Sequence, residues 1–238
     1  MTMPKIICHM IASVDGRLYP DRWTQGPDNA DVTSVYETAA ATFAADGWIV
    51  GRTTMAEYAE SITQGEAAAA RADGATPQAH VGEREGRPLA IVFDPKGKLR
   101  YTESGLPTGE HLVAVLSPAV NDAYLKELRD AGVSYVFAAD AQKPLTSGLA
   151  ALAETFGVKT LLLEGGGIIN GAFLKEGLID ELSFLIYPAI DGLKGVSTIV
   201  DYPGAPDERP ATGQRLSLME TKVFEGGVVW LHYLVQKA

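Results

Sequence analysis

The stretch LLLEGGGIINGAFLKEGLIDEL, residues 161 to 182, sets an apolar run against a carboxylate, three consecutive glycines and a short segment of helical period. After a strand ending near Leu163, Gly165, Gly166 and Gly167 let the backbone turn sharply and leave the start of the next helix bare. The unpaired N–H groups and the positive dipole end of such a helix suit a phosphate. The same glycines also serve a tight strand-to-helix turn with no ligand at all, and spacing alone leaves both readings open. The dinucleotide fingerprint of a Rossmann domain does not fit. The third glycine position is filled by Asn170, and the acidic pair Asp180 and Glu181 precedes the next strand, whereas the ribose-binding acid of that fold ends it.

Working outward, apolar runs recur at Ile6 to Ile11, Trp48 to Val50, Leu89 to Phe93, Leu112 to Leu116, Tyr135 to Ala138 and Thr160 to Leu163. Helix-period segments lie between several of them, at Asp31 to Ala45, Thr54 to Ser61, Ala119 to Ala131, Ser147 to Phe156 and Ile168 to Glu176. That alternation predicts parallel strands joined by helical crossovers. Leu182 to Tyr187 reads as a further strand. RLSLMETKVFEGGVVWLHYLV reads as two strands around Glu225, Gly226 and Gly227. The expected fold is a single α/β domain over residues 1 to 238, with a mixed, mostly parallel sheet and an antiparallel C-terminal hairpin. Residues 63 to 88, rich in Ala, Gly and charge, are expected as a surface insertion, and Tyr202 to Gly213 as a second excursion.

The chain has 238 residues, a hydrophobic fraction of 46% and a formal net charge of -10. That charge repels phosphate polyanions at long range, so neither nucleic acid nor an anionic membrane is the expected partner. An anionic ligand needs a local pocket of cations or backbone amides. Cys8 is the only cysteine, which rules out an intramolecular disulfide framework and a cysteine-rich metal site. His9, His80, His111 and His232 show no metal-binding spacing, and no metal is expected. A cytoplasmic location is expected, because the apolar N-terminal run is too short for a signal core or a membrane span.

Two further segments carry polar groups at strand ends. In WIVGRTTMAEY, residues 48 to 58, a strand runs into Gly51, and Arg52, Thr53 and Thr54 open a helix with Thr54 and Glu57 at capping-box spacing. Arg52 and the two hydroxyls suit a phosphate there, and an ordinary capped helix accounts for the Thr and Glu alone. Two strand-to-helix junctions of this kind suggest a pyrophosphate-containing ligand. In MIASVDGRLYPDR, residues 10 to 22, Asp15-Gly16 makes a turn from which Ser13 and Asp15 can offer a hydroxyl and a carboxylate to a substrate. Trp23 and Trp48 have faces that can flank a flat ligand, although packing is the favoured use of both.

Together, ASVDGR near the start, VGRTTM after the first helix and LLLEGGGIINGAFLKEGLIDELSFLIYPAI late in the chain resemble the reductase domain of riboflavin biosynthesis. That is the C-terminal domain of the bifunctional deaminase-reductase, with a dihydrofolate reductase-like fold. The resemblance implies NADPH as cofactor, with its phosphates near Gly51 to Thr54 and near Gly165 to Ile168. It places Ala12 beside the nicotinamide, and Lys96 and Ser117 near the adenosine half. The implied reaction is that of a 5-amino-6-(5-phosphoribosylamino)uracil reductase, in which hydride passes to an imine-like carbon and a proton is supplied. Asp15 and Glu164 are the candidate catalytic residues, and Ser13, Asp15, Arg17, Arg22 and Trp23 the candidate substrate contacts. Relatives form dimers, so a homodimer is expected.

Where the riboflavin enzymes carry arginines suited to a ribose phosphate, this chain reads GPDNADVTSVYE and TTMAEYAES, with Asn29, Ala30 and Tyr36 in the vicinity. Arg17 and Arg22 are the nearest replacements. One alternative is therefore the same fold and cofactor acting on a different, less anionic molecule. Another, of a different class, is a nucleotide-binding module without catalysis.

Overall fold

The computed structural model describes residues 3–24, 30–58, 61–71 and 77–238. In chain order its elements are β1 (Lys5–Ser13), α1 (Val32–Ala40), β2 (Gly47–Gly51), α2 (Arg52–Tyr58), β3 (Ile62–Gln64), β4 (Leu89–Phe93), β5 (Leu99–Tyr101) and β6 (His111–Leu116). There follow α3 (Asp122–Asp130), β7 (Ser134–Phe137), α4 (Pro144–Phe156), β8 (Thr160–Leu163), α5 (Gly167–Lys175), β9 (Glu181–Tyr187), β10 (Gln214–Val223) and β11 (Val229–Lys237). The fold is α/β, a mixed, mostly parallel sheet with flanking helices and an antiparallel C-terminal hairpin, as the alternation of runs predicts. The chain divides into two compact units that interleave in sequence: Met1–Pro4 with Asp46–Leu161, and Lys5–Ala45 with Leu162–Ala238.

In the unit built on residues 46–161, β2, β4, β6 and β7 are neighbours in that order and all parallel. Their residues are buried almost without interruption, which is why they read as continuous apolar runs and not as alternating ones. Asn121 caps α3 by accepting from the Tyr124 N–H, and the helix buries Tyr124, Leu125 and Leu128. Helix α4 comes so close to the strands that a Cβ on Gly148 would lie 2.8 Å from the Phe93 ring and 2.8 Å from Val115. The three-residue strands β3 and β5 pair antiparallel and were not expected, because three residues carry no readable period. Of residues 63–88, whose positions 72–76 lie outside the described residues, the described parts are tied to this unit by the β3–β5 pairing, by a bridge from Ala70 to Val120 and by one from His80 to Tyr135.

In the other unit, β1 runs parallel to β9 with Ile7 opposite Glu181 and Ser13 opposite Tyr187. Strand β11 pairs antiparallel with β9, and β10 with β11. The hairpin turns through Gly226 and Gly227, both with positive φ, which explains the glycine pair in the sequence. Trp23, Val35, Ala39, Leu185, Tyr187, Val228 and Trp230 form its core.

Each unit also buries a histidine whose pKa burial pushes from 6.5 down to about 4, His111 in the first and His9 in the second. Unfolded histidine titrates near its ordinary value, so between pH 6.5 and 4 the unfolded chain binds protons that the folded chain refuses. Stability from these residues is full above that window and falls as pH drops through it, by up to about 1.4 kcal/mol per pH unit for each histidine. Urea unfolding midpoints at pH 7, 5.5 and 4.5 should decline accordingly, and a flat series would contradict the buried neutral state of both rings.

Candidate active site

Ser13 ends β1, and Asp15 and Gly16 turn the chain beyond it. Asp15 accepts from the Ser13 hydroxyl at 2.7 Å and from the backbone N–H groups of Asp191 and Gly192 at 3.1 and 2.8 Å. These donors, the Ser13 hydroxyl first, hold its carboxyl down to about 2, so it is ionised at neutral pH. Arg17 lies 3.9 Å from Asp15 through Nε, and its Nη1 donates to the Val196 carbonyl at 2.8 Å. Arg22 grips Asp191 with Nε and Nη2 at 2.7 and 3.1 Å. The loop after β1 is thereby fastened to residues 189–198, with Val14 N–H donating to Ala189 and Leu18 N–H to Ser197.

The same segment reaches the glycine loop. Gly165 has φ +89, and a Cβ there would meet Met10 at 2.8 Å. Helix α5 starts at Gly167 behind Gly166, with no side-chain cap at its N-terminus. Asp201 N–H donates to the Gly167 carbonyl at 2.9 Å, and Asn170 donates to Ile199 at 2.8 Å. A Cβ on Gly167 would lie 2.4 Å from the Thr198 carbonyl, and one on Gly171 2.7 Å from the Tyr202 N–H nitrogen. Close approach of α5 to residues 198–202 therefore requires both glycines, while the helix start keeps its amides clear of any side-chain cap.

Glu164, half-buried between β8 and the glycines, is reached by the Tyr36 side chain from α1. The Tyr36 hydroxyl also donates to the His9 carbonyl at 3.0 Å, and the His9 ring returns a bond from Nε2 to the Tyr36 carbonyl at 3.2 Å. Ser183 on β9 lies 2.8 Å from His9 Nδ1 and accepts from Trp230 at 2.8 Å.

In the other unit a second group of polar residues gathers beyond the carboxyl ends of β2, β4 and β6, where open parallel sheets bind ligands. Gly51 sits opposite Phe93, and Phe93 opposite Val115, so Arg52, Asp94 and Ser117 follow from neighbouring strands. Helix α2 begins at Arg52 and not at Thr54, so Thr53 and Thr54 lie within its first turn and Thr54 is not its cap. Arg52 Nε is buried with no hydrogen-bond partner among the described residues. Asp94 is fully buried, accepts from Lys98 and Leu99 N–H at 2.6 and 2.8 Å, and has its pKa raised by burial. Lys96 is exposed on the following turn, and the Ser117 N–H donates to Pro95 at 3.2 Å, which sets those two segments side by side. A cleft of about 360 Å³ in this unit, lined by Leu99, Arg100, Tyr101, Tyr124, Glu127 and Asp130 among others, includes none of these residues.

One unit thus joins Ser13, Asp15, Arg17 and Arg22 in one bonded loop system, and in the glycine loop it sets Gly165 against Met10 and Gly167 against Thr198 and Asp201. The other assembles Gly51 to Thr54, Lys96 and Ser117. Ala12 is buried within β1. Trp23 is 4% exposed and packs tilted against Tyr187 with ring centroids 5.3 Å apart, a core position that leaves little face for a ligand. Asn29 lies outside the described residues. Sequence reading missed Asp191, Thr198 and Asp201. The Asp191-Gly192 turn dipeptide was a usable signal for the first, whereas Thr198 and Asp201, which bond each other at 2.7 Å, sit in a stretch with no period.

An α/β sheet with polar groups gathered beyond its parallel strand ends has the layout of a ligand-binding α/β enzyme. The chain belongs to the RibD C-terminal domain family, which it matches over residues 4–230; this is a reductase family, and the protein is an enzyme of that family. It is 28% identical over 107 residues to the riboflavin biosynthesis protein RibD of Bacillus amyloliquefaciens, a match covering 44% of this chain and 29% of that protein. Among solved structures it resembles a pyrimidine reductase-like protein of Corynebacterium diphtheriae, with a TM-score of 0.66 and 21% identity over 99% of this chain and 93% of that one. It also resembles RibD of Acinetobacter baumannii, with a TM-score of 0.62 and 22% identity over 98% of this chain and 58% of that one. The riboflavin biosynthesis reductase Rib7 of Saccharomyces cerevisiae matches with a TM-score of 0.60 and 16% identity over 98% and 90%. These likenesses carry the dihydrofolate reductase-like fold. The chain spans less than two thirds of either RibD protein. No helix among the described residues is long and apolar enough to cross a membrane.

Proposed function

We propose that the protein is an NADPH-dependent reductase of the riboflavin type, acting on 5-amino-6-(5-phosphoribosylamino)uracil. The observation that carries this reading, within the reductase family, is the pair of strand-to-helix junctions that suit the coenzyme. At one, α5 presents a start without a side-chain cap behind Gly165 and Gly166. At the other, Arg52 keeps a buried Nε with no hydrogen-bond partner among the described residues at the head of α2. Each by itself suits a phosphate, one by backbone amides and the other by a guanidinium. Gly165, Gly166, Gly167 and Ile168 would hold one part of NADPH, and Gly51, Arg52, Thr53 and Thr54 another. Lys96 and Ser117 would face its adenosine half, and Ala12 with the loop after it the nicotinamide.

Bound NADPH would supply the hydride. The chain's own residues orient the acceptor and provide the proton. Asp15 is ionised and already accepts three hydrogen bonds, so its part is to position Ser13 and the 191–192 turn against the substrate and not to protonate it. Glu164, at the mouth of the glycine loop, is then the proton-holding group. Arg17, Arg22 and Trp23 complete the substrate side, the tryptophan by supporting Tyr187 from the core.

Loss of NADPH absorbance on adding the phosphoribosylaminopyrimidine tests the reading, and coenzyme binding without turnover would remove that substrate. One observation favours a second reading, a less anionic substrate: Arg22 is already committed to Asp191 through two bonds, so a substrate phosphate would have to displace a carboxylate. Turnover of the dephosphorylated nucleoside at least equal to that of the phosphate would establish it. A cytoplasmic setting and a homodimer, with neither nucleic acid nor membrane as partner, complete the proposal. Leu216, Leu218 and Val223, exposed on the edge strand β10, are the apolar surface that a second copy would cover.

A further inference from the structure

We propose that Tyr36 is a positioning residue for Glu164, a clasped phenol that lets this carboxyl pass between its charged and neutral forms without losing a hydrogen bond. The inference rests on the reading of Glu164 as the proton-holding group. A phenol has one proton and two lone pairs. The Tyr36 hydroxyl lies within hydrogen-bonding reach of two acceptors, the Glu164 carboxyl and the His9 carbonyl. When Glu164 is ionised, it accepts the phenol proton. When Glu164 is protonated, the phenol turns its own proton to the His9 carbonyl at 3.0 Å and accepts from the carboxyl. The carboxyl and the phenol stay bonded to each other in both states, which a half-buried site favours for a group that changes charge in turnover.

The clasp fixes the phenol for this work. A carbonyl only accepts, so the bond between His9 Nε2 and the Tyr36 carbonyl places the ring proton on Nε2. Nδ1 of the neutral ring then accepts from the Ser183 hydroxyl, whose oxygen takes the Trp230 N–H. The two residues thus bond each other reciprocally, ring centroids 4.3 Å apart, in a chain that runs from α1 through β1 and β9 to β11. Burial pushes the His9 pKa down to about 4, so the clasp keeps its neutral form across ordinary pH. The groups facing the phenol are Glu164, Cys8 on β1 and Glu37 on its own helix; burial first, then these, push the Tyr36 pKa up. Burial also pushes the Cys8 thiol up, so it stays neutral. Tyr36 therefore orients and does not itself give up its proton.

Tyr36→Phe keeps the ring on His9 and removes only the hydroxyl. In the wild type, Tyr36→Phe, Glu164→Gln and the double variant, the readouts are kcat and KM with the phosphoribosylaminopyrimidine, NADPH affinity, Tm without ligand and the infrared carboxyl band that Glu164→Gln abolishes. The expected result for Tyr36→Phe is a kcat lowered roughly tenfold, with KM, NADPH affinity and Tm near wild type. The carboxyl band should titrate at higher pH, because a donor to the charged form is gone. The double variant should be no slower than Glu164→Gln. A wild-type titration of that band in Tyr36→Phe overturns the inference whether or not the substrate is turned over. So does a wild-type kcat for Tyr36→Phe beside a slow Glu164→Gln. Wild-type turnover by Glu164→Gln instead defeats the reading of Glu164 itself. Should Tyr36→Phe not fold, Glu164→Asp, which draws the carboxyl back by one methylene, is expected to reproduce the loss of kcat and the band shift, and its failure to do so counts equally against the inference.

Discussion

Gly167→Ala is expected to weaken coenzyme binding and to destabilise the unit that holds the glycine loop, the largest combined effect of any single methyl group added at the site. The new Cβ would sit 2.4 Å from the Thr198 carbonyl and 2.8 Å from an Asp201 carboxylate oxygen. Neither neighbour is free to retreat. Asp201 accepts from Thr198 N–H at 2.8 Å and from the Thr198 hydroxyl at 2.7 Å, and its own N–H bonds Gly167 at 2.9 Å. The start of α5 must shift, and overpacking of this kind costs about 1–3 kcal/mol. The better helix propensity of alanine offsets up to about 1 kcal/mol of that. The amides at the head of α5 move with the helix, so NADPH affinity should fall roughly tenfold or more if they hold a phosphate. Gly171→Ala separates the two effects. It clashes with the same segment, at the Tyr202 nitrogen 2.7 Å away, but one turn deeper into the helix. It should lower Tm while changing coenzyme affinity less than Gly167→Ala does. Equal affinity losses in both variants would mean that the helix start contributes nothing particular to binding.

Glu164→Gln should reduce kcat by about 10²–10⁴-fold, the range over which a positioned proton donor accelerates a reaction. The amide keeps the shape of the side chain and its bond to Tyr36 but cannot deliver a proton. Coenzyme affinity and Tm should stay close to wild type, because the amide is isosteric and can still accept from Tyr36. Measured beside it, Asp15→Asn should slow turnover less steeply, since it weakens the bonds from Ser13, Asp191 and Gly192 without removing a proton source. A ranking in which Asp15→Asn is the more severe would transfer the proton role to Asp15, against its strongly lowered pKa.

The α/β alternation was legible because the parallel strands of residues 46–161 are buried on both faces and so carry unbroken apolar runs. The C-terminal hairpin was legible from Gly226 and Gly227, where the chain needs positive φ. The strand-to-helix junctions at Gly51 and Gly165 were equally plain. What stayed hidden is long-range. Nothing near Arg22 announces Asp191, 169 residues away, as its partner, and nothing near Tyr36 announces Glu164. One of the glycines that suggested a phosphate loop, Gly167, answers first to Thr198 and Asp201, and Gly171, one turn further on, to the backbone of Asp201 and Tyr202. A sequence records that a side chain is missing but not which neighbour occupies the space. Trp23 shows the converse, an aromatic face that pattern alone could offer to a ligand and that the core uses instead.

The interleaving of the two units fixes an order of events during synthesis. Residues 46–161 leave the ribosome as one continuous piece, able to collapse as soon as the last of them emerges. Strand β1 is made before all of them, yet its partner β9 begins only at residue 181. The nascent chain must therefore carry this highly apolar strand without its β9 partner while the intervening residues are translated. Slow closure of the long loop between β1 and β9 follows from the connectivity.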